Sequence, residues 1–294
     1  MVSIVICYQP GTGDILSVCL ASLARHTKNW PYRIIVLVRG DTDDDLADIQ
    51  VEYPDIQVVI VGNIDASVTS RVHGIMLDTF IPERIETPFI LTLDSDCFPI
   101  ADDWLSDLFG KIEAGAKIVG ILHPWAPPPF DMNKKKIEWR VRSQHCWETT
   151  HVACQMLHKN DFLDLSTKYN TGDDTGLAII AKAKQRDWKI NGFKVTRCPK
   201  SEIGKIDPEF NRYVSLVFGD KVYHHGGFTR MLACGDEPVF KSEFDWVRQK
   251  IIKEKGAEFL LDDNFSYRFK FDREEEIAKE KMQRLFGLKS QRVG

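Results

Sequence analysis

The sequence predicts an α/β protein in which helices cover both faces of a mostly parallel central sheet. Short apolar runs alternate with stretches whose apolar residues recur at helical spacing, starting at residue 2. The runs are rich in Ile and Val, a composition typical of strands that are buried on both faces. Repeated strand–helix–strand order favours parallel strands joined by crossover helices.

Four strands are predicted in the first third of the chain, at 2–8, 32–38, 56–62 and 88–94. The first gap is predicted to hold a helix from Asp14 to His26, because its apolar residues form one stripe at helical spacing. Weaker helical patterns fill the next two gaps, at 43–53 and 67–80.

The rest of the chain is less regular. Helices are predicted at 102–115 and 169–190, with a short strand at 117–124. Residues 125–147 form a long irregular connection, a kind of loop that is usually functional or disordered, and its three tryptophans argue against disorder. Residues 236–294 are predicted to be a charge-rich helical extension of a domain at 1–235.

Composition excludes several classes of protein. The net charge of −4 provides no basic field that would attract nucleic acid or anionic lipid. The seven cysteines are scattered and include no CxxC pair, which argues against a disulfide framework and a zinc ribbon. The sequence shows no secretory leader and no apolar stretch of about 20 residues. We therefore expect a soluble, cytoplasmic protein without a transmembrane segment.

Two carboxylates, Asp94 and Asp96, end the fourth predicted strand in the stretch "FILTLDSDCFP". An exposed turn would explain the pair, and so would a metal site. Ligands of parallel sheets gather at the carboxyl ends of the strands, so this position favours the metal site.

Two further polar motifs follow. Asp173 and Asp174 open the predicted helix in "GDDTGLAIIAKAKQRDWKI", and His224 and His225 precede two glycines in "HHGG". With "VSIVICYQ" at the start and "LTLDSDCFPIADDWLSDL" in the middle, this order of motifs resembles inverting glycosyltransferases of family 2. The resemblance covers about residues 1–230 and implies a GT-A fold, with a nucleotide-binding half at 1–97 and an acceptor half at 98–235.

The resemblance implies a nucleotide-diphospho-sugar donor, by default a UDP-sugar, and a DxD motif that binds Mn²⁺ or Mg²⁺. Asp96 would bind the metal, with Asp94 nearer the ribose or a metal-bound water and Ser95 beside the nucleotide. His224 or His225 would supply another ligand, and the HxGG spacing favours His224. An imidazole ligand suits Mn²⁺ better than Mg²⁺.

The same resemblance assigns Asp174 as the general base for the acceptor hydroxyl. In the first turn of a helix, the helix dipole would keep this carboxylate ionised. Asp173 would be the N-cap of the helix or an acceptor contact.

Tyr8, Gln9 and Arg71 are predicted to contact the nucleotide. A role in packing the turn after the first strand is the alternative for Tyr8 and Gln9, and a solvated helix position is the alternative for Arg71. Val38 stands where the family usually has a base-contacting Asp. Asp41 or Asp43 would replace that contact, so the identity of the base stays open.

Trp125 and Trp147 are candidates for stacking on an acceptor sugar, with Trp139 nearby, or they anchor the loop. The lysines at 134–136 are a solvated tip or a contact for an anionic acceptor. The acceptor class is open between a glycan, a lipid carrier, a protein and a modified nucleic acid.

Two other functions compete with this hypothesis. Phosphotransferases of the haloacid dehalogenase type also end an apolar strand in Asp-x-Asp, and Asp94 would then be the nucleophile. The third hypothesis is a non-catalytic module that binds sugar or nucleotide on the same fold.

Overall fold

Seven strands form the central sheet of the computed structural model, which describes residues 1–62, 64, 69–122, 150–170, 175–199, 215–225 and 249–268. Their spatial order is β3-β2-β1-β4-β7-β6-β8. The strands are β1 (Val2–Tyr8), β2 (Tyr32–Arg39), β3 (Gln57–Gly62), β4 (Phe89–Asp94), β6 (Ile118–Leu122), β7 (Thr150–His158) and β8 (Ile190–Phe193). All pairs are parallel except those of β7 with β4 and β6. The predicted α/β class is confirmed.

In the described part of the chain, six helices connect these strands: α1 (Gly13–His26), α2 (Asp44–Glu52), α3 (Thr69–Arg84), α4 (Trp104–Glu113), α5 (Lys159–Leu165) and α6 (Leu177–Gln185). Alternate residues of β1 point to opposite faces of the sheet. Ile4 and Ile6 pack in one core cluster with α1, α2 and α4, whereas Val5 packs in a second cluster with α3, α5 and α6. The helices therefore cover both faces, as the sequence predicts.

The helix predicted at 169–190 is shorter than expected. It begins only at Leu177, and its N-cap is Gly176 with a φ of 80°. A left-handed residue at that position cannot continue a right-handed helix toward the N-terminus. Asp173 is therefore not the N-cap of α6, and the prediction that Asp174 lies in its first turn was wrong.

A second, antiparallel sheet has the order β12-β9-β10-β11-β5. Its strands are β5 (Cys97–Pro99), β9 (Val195–Pro199), β10 (Ser215–Phe218), β11 (Val222–His225) and β12 (Ser266–Arg268). β5 follows β4 after a turn of two residues, so the second sheet starts where the parallel strand β4 ends.

Part of the predicted C-terminal extension packs on the main core. Ile251 and Leu260 are buried in the same cluster as α1 and α4. Buried Arg197 of β9 forms ion pairs of 3.1 Å with Asp220 and 2.7 Å with Asp263. The domain boundary predicted at 235 and most of the extension lie outside the described residues.

None of the described helices is long and apolar enough to span a membrane.

Candidate metal centre

The acidic pair lies at the carboxyl edge of the central sheet. Asp94 is the last residue of β4 and pairs with Cys7 of β1, and Ser95 and Asp96 form the turn into β5. Ser95 is 3% exposed and Asp96 is 4% exposed. Because Asp96 is buried, it is not part of the exposed turn that was the alternative to a metal site.

β11 brings a histidine to this turn. It pairs antiparallel with β5, so that His224 is opposite Cys97. The backbone N–H of His225 donates to the Asp96 carbonyl over 3.0 Å, which extends the pairing to the turn itself. The sheet register therefore sets the position of His224 relative to Asp96.

Asp94, Asp96 and His224 each offer a ligand atom, and these atoms all lie within 4.8 Å of one another. His224 Nε2 is 3.9 Å from Asp96 Oδ1. The buried Oδ1 of Asp94 makes no hydrogen bond to any described residue. Two carboxylates and one imidazole are a donor set that suits Mn²⁺ and similar cations. The residues therefore fit the divalent ion that the resemblance implies.

His225 differs from its neighbour. It lies on the opposite face of β11, the face of Tyr223, whose ring centroid is 6.5 Å from that of His225. Burial disfavours the charged imidazolium and lowers the pKa of His225 to about 4. Of the two histidines that the sequence proposes, the group around the carboxylates contains His224.

Two histidines near the centre were not among the residues predicted from the sequence. His73 of α3 places Nε2 3.4 Å from Asp94 Oδ1. The ring of His151 in β7 lies 5.5 Å from that of His224, centroid to centroid. His151 Nδ1 accepts the Ala153 N–H over 3.1 Å.

No family model and no curated protein matches the chain. Several solved structures are similar to it. A crystal structure of S. aureus TarS 1–349 is 13% identical, with a TM-score of 0.43, and the match covers 65% of this chain and 57% of that one. A further S. aureus TarS structure is 14% identical, with a TM-score of 0.44 and coverages of 66% and 35%.

The complex of S. aureus TarS 1–349 with UDP-GlcNAc is also similar, with 14% identity, a TM-score of 0.41 and coverages of 62% and 53%. The chain thus spans less than two thirds of these proteins. At identities this low, the likeness carries no information about activity.

Tyr8 and Asp43 join the ends of β1 and β2. The Tyr8 hydroxyl donates to Asp43 Oδ2 over 2.7 Å, and Gly11 N donates to the same oxygen over 2.8 Å. Asp43 Oδ1 accepts the Leu46 N–H over 3.0 Å and so caps α2. Burial would raise the pKa of Asp43, but these hydrogen bonds outweigh it and lower the pKa. Tyr8 is 1% exposed, so its observed contacts are those of the turn-packing alternative.

The other two residues predicted to contact the nucleotide are Gln9 and Arg71. The Gln9 carbonyl accepts the Thr12 hydroxyl over 2.7 Å. Arg71 belongs to α3, but its side chain is outside the described part of the chain. Contacts of Tyr8, Gln9 and Arg71 with a nucleotide stay predictions.

Four predicted site residues lie outside the described residues. They are Asp173, Asp174, Trp125 and Trp147, and Trp139 and the lysines at 134–136 fall in the same gaps. The described chain ends at Asn170, before Asp173 and Asp174, and resumes at Thr175 after them.

Replacement of Asp43 by Ala is expected to lower the free energy of unfolding by about 2 kcal/mol. Loss of the cap contributes about 1 kcal/mol, and the buried Tyr8 hydroxyl left without its acceptor contributes about 1 kcal/mol. Because the pKa of Asp43 is lowered, this stabilisation is complete at neutral pH and is lost as the pH falls through that pKa. Urea denaturation measures the effect.

Asp44 is the matched control, since it is exposed and lies next to Asp43 in the first turn of α2. Asp44→Ala is expected to change stability by less than about 0.5 kcal/mol. In a Tyr8→Phe background, Asp43→Ala is expected to cost only about 1 kcal/mol, the value of the cap. Equal effects of the two Asp variants would contradict the capping role.

Proposed function

We propose that the protein is a metal-dependent glycosyltransferase of the GT-A type. It moves a sugar from a nucleotide-diphospho-sugar, by default a UDP-sugar, to an acceptor hydroxyl. The observation that carries this proposal is the group Asp94, Asp96 and His224, whose ligand atoms lie within 4.8 Å of one another. The group lies where β4 ends, at the edge where α/β sheets bind ligands.

Asp96 and His224 would hold a divalent cation, and Asp94 would contact the donor ribose or the hydration shell of the cation. A bound Mn²⁺ or Mg²⁺ would neutralise the charge that develops on the departing diphosphate. Without a cation, the carboxylates of Asp94 and Asp96 would repel the diphosphate, so these residues could serve the transfer only with a cation bound.

The transfer itself is a displacement at the anomeric carbon. The acceptor oxygen forms its bond to that carbon while the bond from carbon to the diphosphate oxygen breaks. The electron pair leaves with the nucleoside diphosphate, and the acceptor proton passes to a carboxylate base. A single displacement inverts the anomeric centre, in agreement with the family that the sequence resembles. On that resemblance Asp174 is the base, Asp173 an acceptor contact, and Trp125 and Trp147 sugar-stacking residues.

The test is incubation with Mn²⁺ and a panel of nucleotide sugars that includes UDP-glucose, UDP-GlcNAc and GDP-mannose. Glycosyltransferases hydrolyse their donor slowly without acceptor, so we expect release of free nucleoside diphosphate with one donor. Phosphate release from simple phosphate esters would instead indicate the phosphotransferase. A thermal shift with a donor but no turnover would indicate the binding module.

Replacement of Asp174 by Asn is expected to reduce kcat for donor hydrolysis or transfer by about 100-fold, the lower range for loss of a general base. The affinity for Mn²⁺ is expected to stay unchanged, because Asp174 is not among the proposed ligands. Steady-state kinetics and a Mn²⁺ titration measure the two quantities.

Asp173→Asn is the matched comparison. As an acceptor contact, Asp173 is expected to affect KM for the acceptor more than kcat. A loss of kcat in Asp173→Asn that exceeds the loss in Asp174→Asn would reverse the two roles.

A further inference from the structure

A polar side chain lies in the apolar stripe of α3. His73 precedes Met76 and Leu77 by three and four residues, so all three share one face of the helix. Met76 and Leu77 are 2% and 0% exposed in the core beneath the sheet, whereas the His73 side chain is 16% exposed. An isolated histidine in such a stripe is usually a core residue whose nitrogens are hydrogen-bonded.

The His73 ring does not meet that expectation. Its Nε2 is buried and makes no hydrogen bond to any described residue, and the same is true of Asp94 Oδ1. These two atoms face each other at 3.4 Å, beyond the usual 2.7–3.2 Å of an N–H···O hydrogen bond. A small movement of either side chain would make the bond.

The register of the sheet explains why Asp94 faces α3. Asp94 lies on the same side of β4 as Ile90, which packs in the α3 cluster, and it pairs with Cys7 of β1. Burial raises the pKa of the Cys7 thiol, and the negative charge of the Asp94 carboxylate raises it further. The Asp94 carboxylate is therefore on the side of the sheet where His73 is.

The backbone of α3 has little freedom next to His73. A Cβ added to Gly74 would lie 2.8 Å from Asn170 Cβ and 2.9 Å from Asn170 Cα. One turn further along, the Asp78 carboxylate accepts the Tyr169 N–H over 2.6 Å and the Asn170 N–H over 2.8 Å. These contacts fix α3 against the 169–170 segment, and with it the position of His73.

We propose that His73 is a positioning residue for Asp94 in the cation site. His73 Nε2–H donates to Asp94 Oδ1, which fixes the carboxylate plane and leaves its other oxygen for the cation or the donor. His73 is not a ligand itself, since the group of mutually close ligand atoms in the described chain contains only Asp94, Asp96 and His224. The inference rests on the proposed function, because it requires that a cation binds there. Mutation of a residue that hydrogen-bonds to a metal ligand typically lowers the affinity for the metal 10–100-fold.

The test compares His73→Gln with His73→Met. Gln retains an N–H donor near the position of Nε2, whereas Met fills similar volume without a donor. Mn²⁺ affinity is measured by electron paramagnetic resonance of the free ion, without donor or turnover. We expect His73→Met to bind Mn²⁺ about 10-fold more weakly, His73→Gln to bind within about threefold of wild type, and both variants to keep the wild-type melting temperature without metal. The control is His158→Leu. This variant removes a histidine of β7 that pairs with Phe89, at the end of β4 remote from Asp94, and we expect it to leave the affinity for Mn²⁺ unchanged.

Equal affinities of His73→Met and wild type would overturn the positioning role while the proposed function stands. Failure of wild type to bind Mn²⁺ would overturn the cation site and the proposed function with it. If His73→Met does not fold, the positioning role is tested instead by ¹⁵N-histidine NMR spectra of the wild type, with Mg²⁺ as the probe. A Mg²⁺-induced shift of the His73 Nε2 resonance, assigned by its loss in His73→Gln, supports the role, and an unmoved resonance overturns it.

Discussion

Replacement of Asp96 by Asn is expected to abolish Mn²⁺ binding and to lower donor turnover at least about 1,000-fold, or about 4 kcal/mol. Asn has nearly the same shape, so the buried turn between β4 and β5 keeps its packing. The negative charge is lost 3.9 Å from His224 Nε2, where the proposed cation would bind. An amide oxygen is a weaker ligand for a hard cation than a carboxylate. Mn²⁺ titration and release of nucleoside diphosphate measure both effects.

Asp55→Asn serves as the control, because Asp55 is exposed in the turn before β3 and far from the centre in the sheet order. We expect wild-type affinity and turnover for this variant. Wild-type turnover in Asp96→Asn would remove the basis of the proposed function, even if the protein folds as described.

Gly120→Ala is expected to destabilise the fold by at least about 3 kcal/mol, above the usual range for an overpacked core. The new Cβ would lie 1.9 Å from the Cys154 carbonyl oxygen and 2.9 Å from its carbonyl carbon. Both are backbone atoms of β7, which pairs with β4 on its other edge, so Cys154 cannot yield without disturbing Leu93. Against a total stability of about 5–15 kcal/mol, such a loss is large. Urea denaturation and soluble yield measure it.

Gly110 in α4 provides the matched control. A Cβ at Gly110 meets nothing within 4 Å. Since Ala is a better helix former than Gly, Gly110→Ala is expected to raise stability by about 0.5–1 kcal/mol. A Gly120→Ala variant as stable as wild type would show that β6 and β7 do not approach each other as closely as described.

The parallel half of the fold could be predicted because its signals are local. The strand predicted at 2–8 is observed at Val2–Tyr8, and the helix predicted from Asp14 to His26 is observed at Gly13–His26. The carboxylates at 94 and 96 could be predicted as a candidate site from their position after an apolar strand. The resemblance added His224, which the second sheet brings to the pair.

Other features depend on contacts between distant elements. β7 was not predicted, because Gln155 interrupts its apolar run; its amide donates to the Thr150 hydroxyl over 3.0 Å within the same strand. His73 was missed because the sequence does not show that α3 places it beside Asp94. The start of α6 was misplaced because the left-handed conformation of Gly176 is not visible in the spacing of apolar residues.

The pairing of β5 with β11 links stretches of chain that are remote in sequence, through only three pairs of residues. An ion bound by Asp96, in the turn that leads into β5, and by His224 of β11 would connect the two strands further. Ion affinity and the attachment of the antiparallel layer would then be thermodynamically linked, each strengthening the other. Any change that detaches β11 from β5 would remove His224 from the carboxylates of Asp94 and Asp96. The affinity for the ion would then fall even if the turn between β4 and β5 is intact.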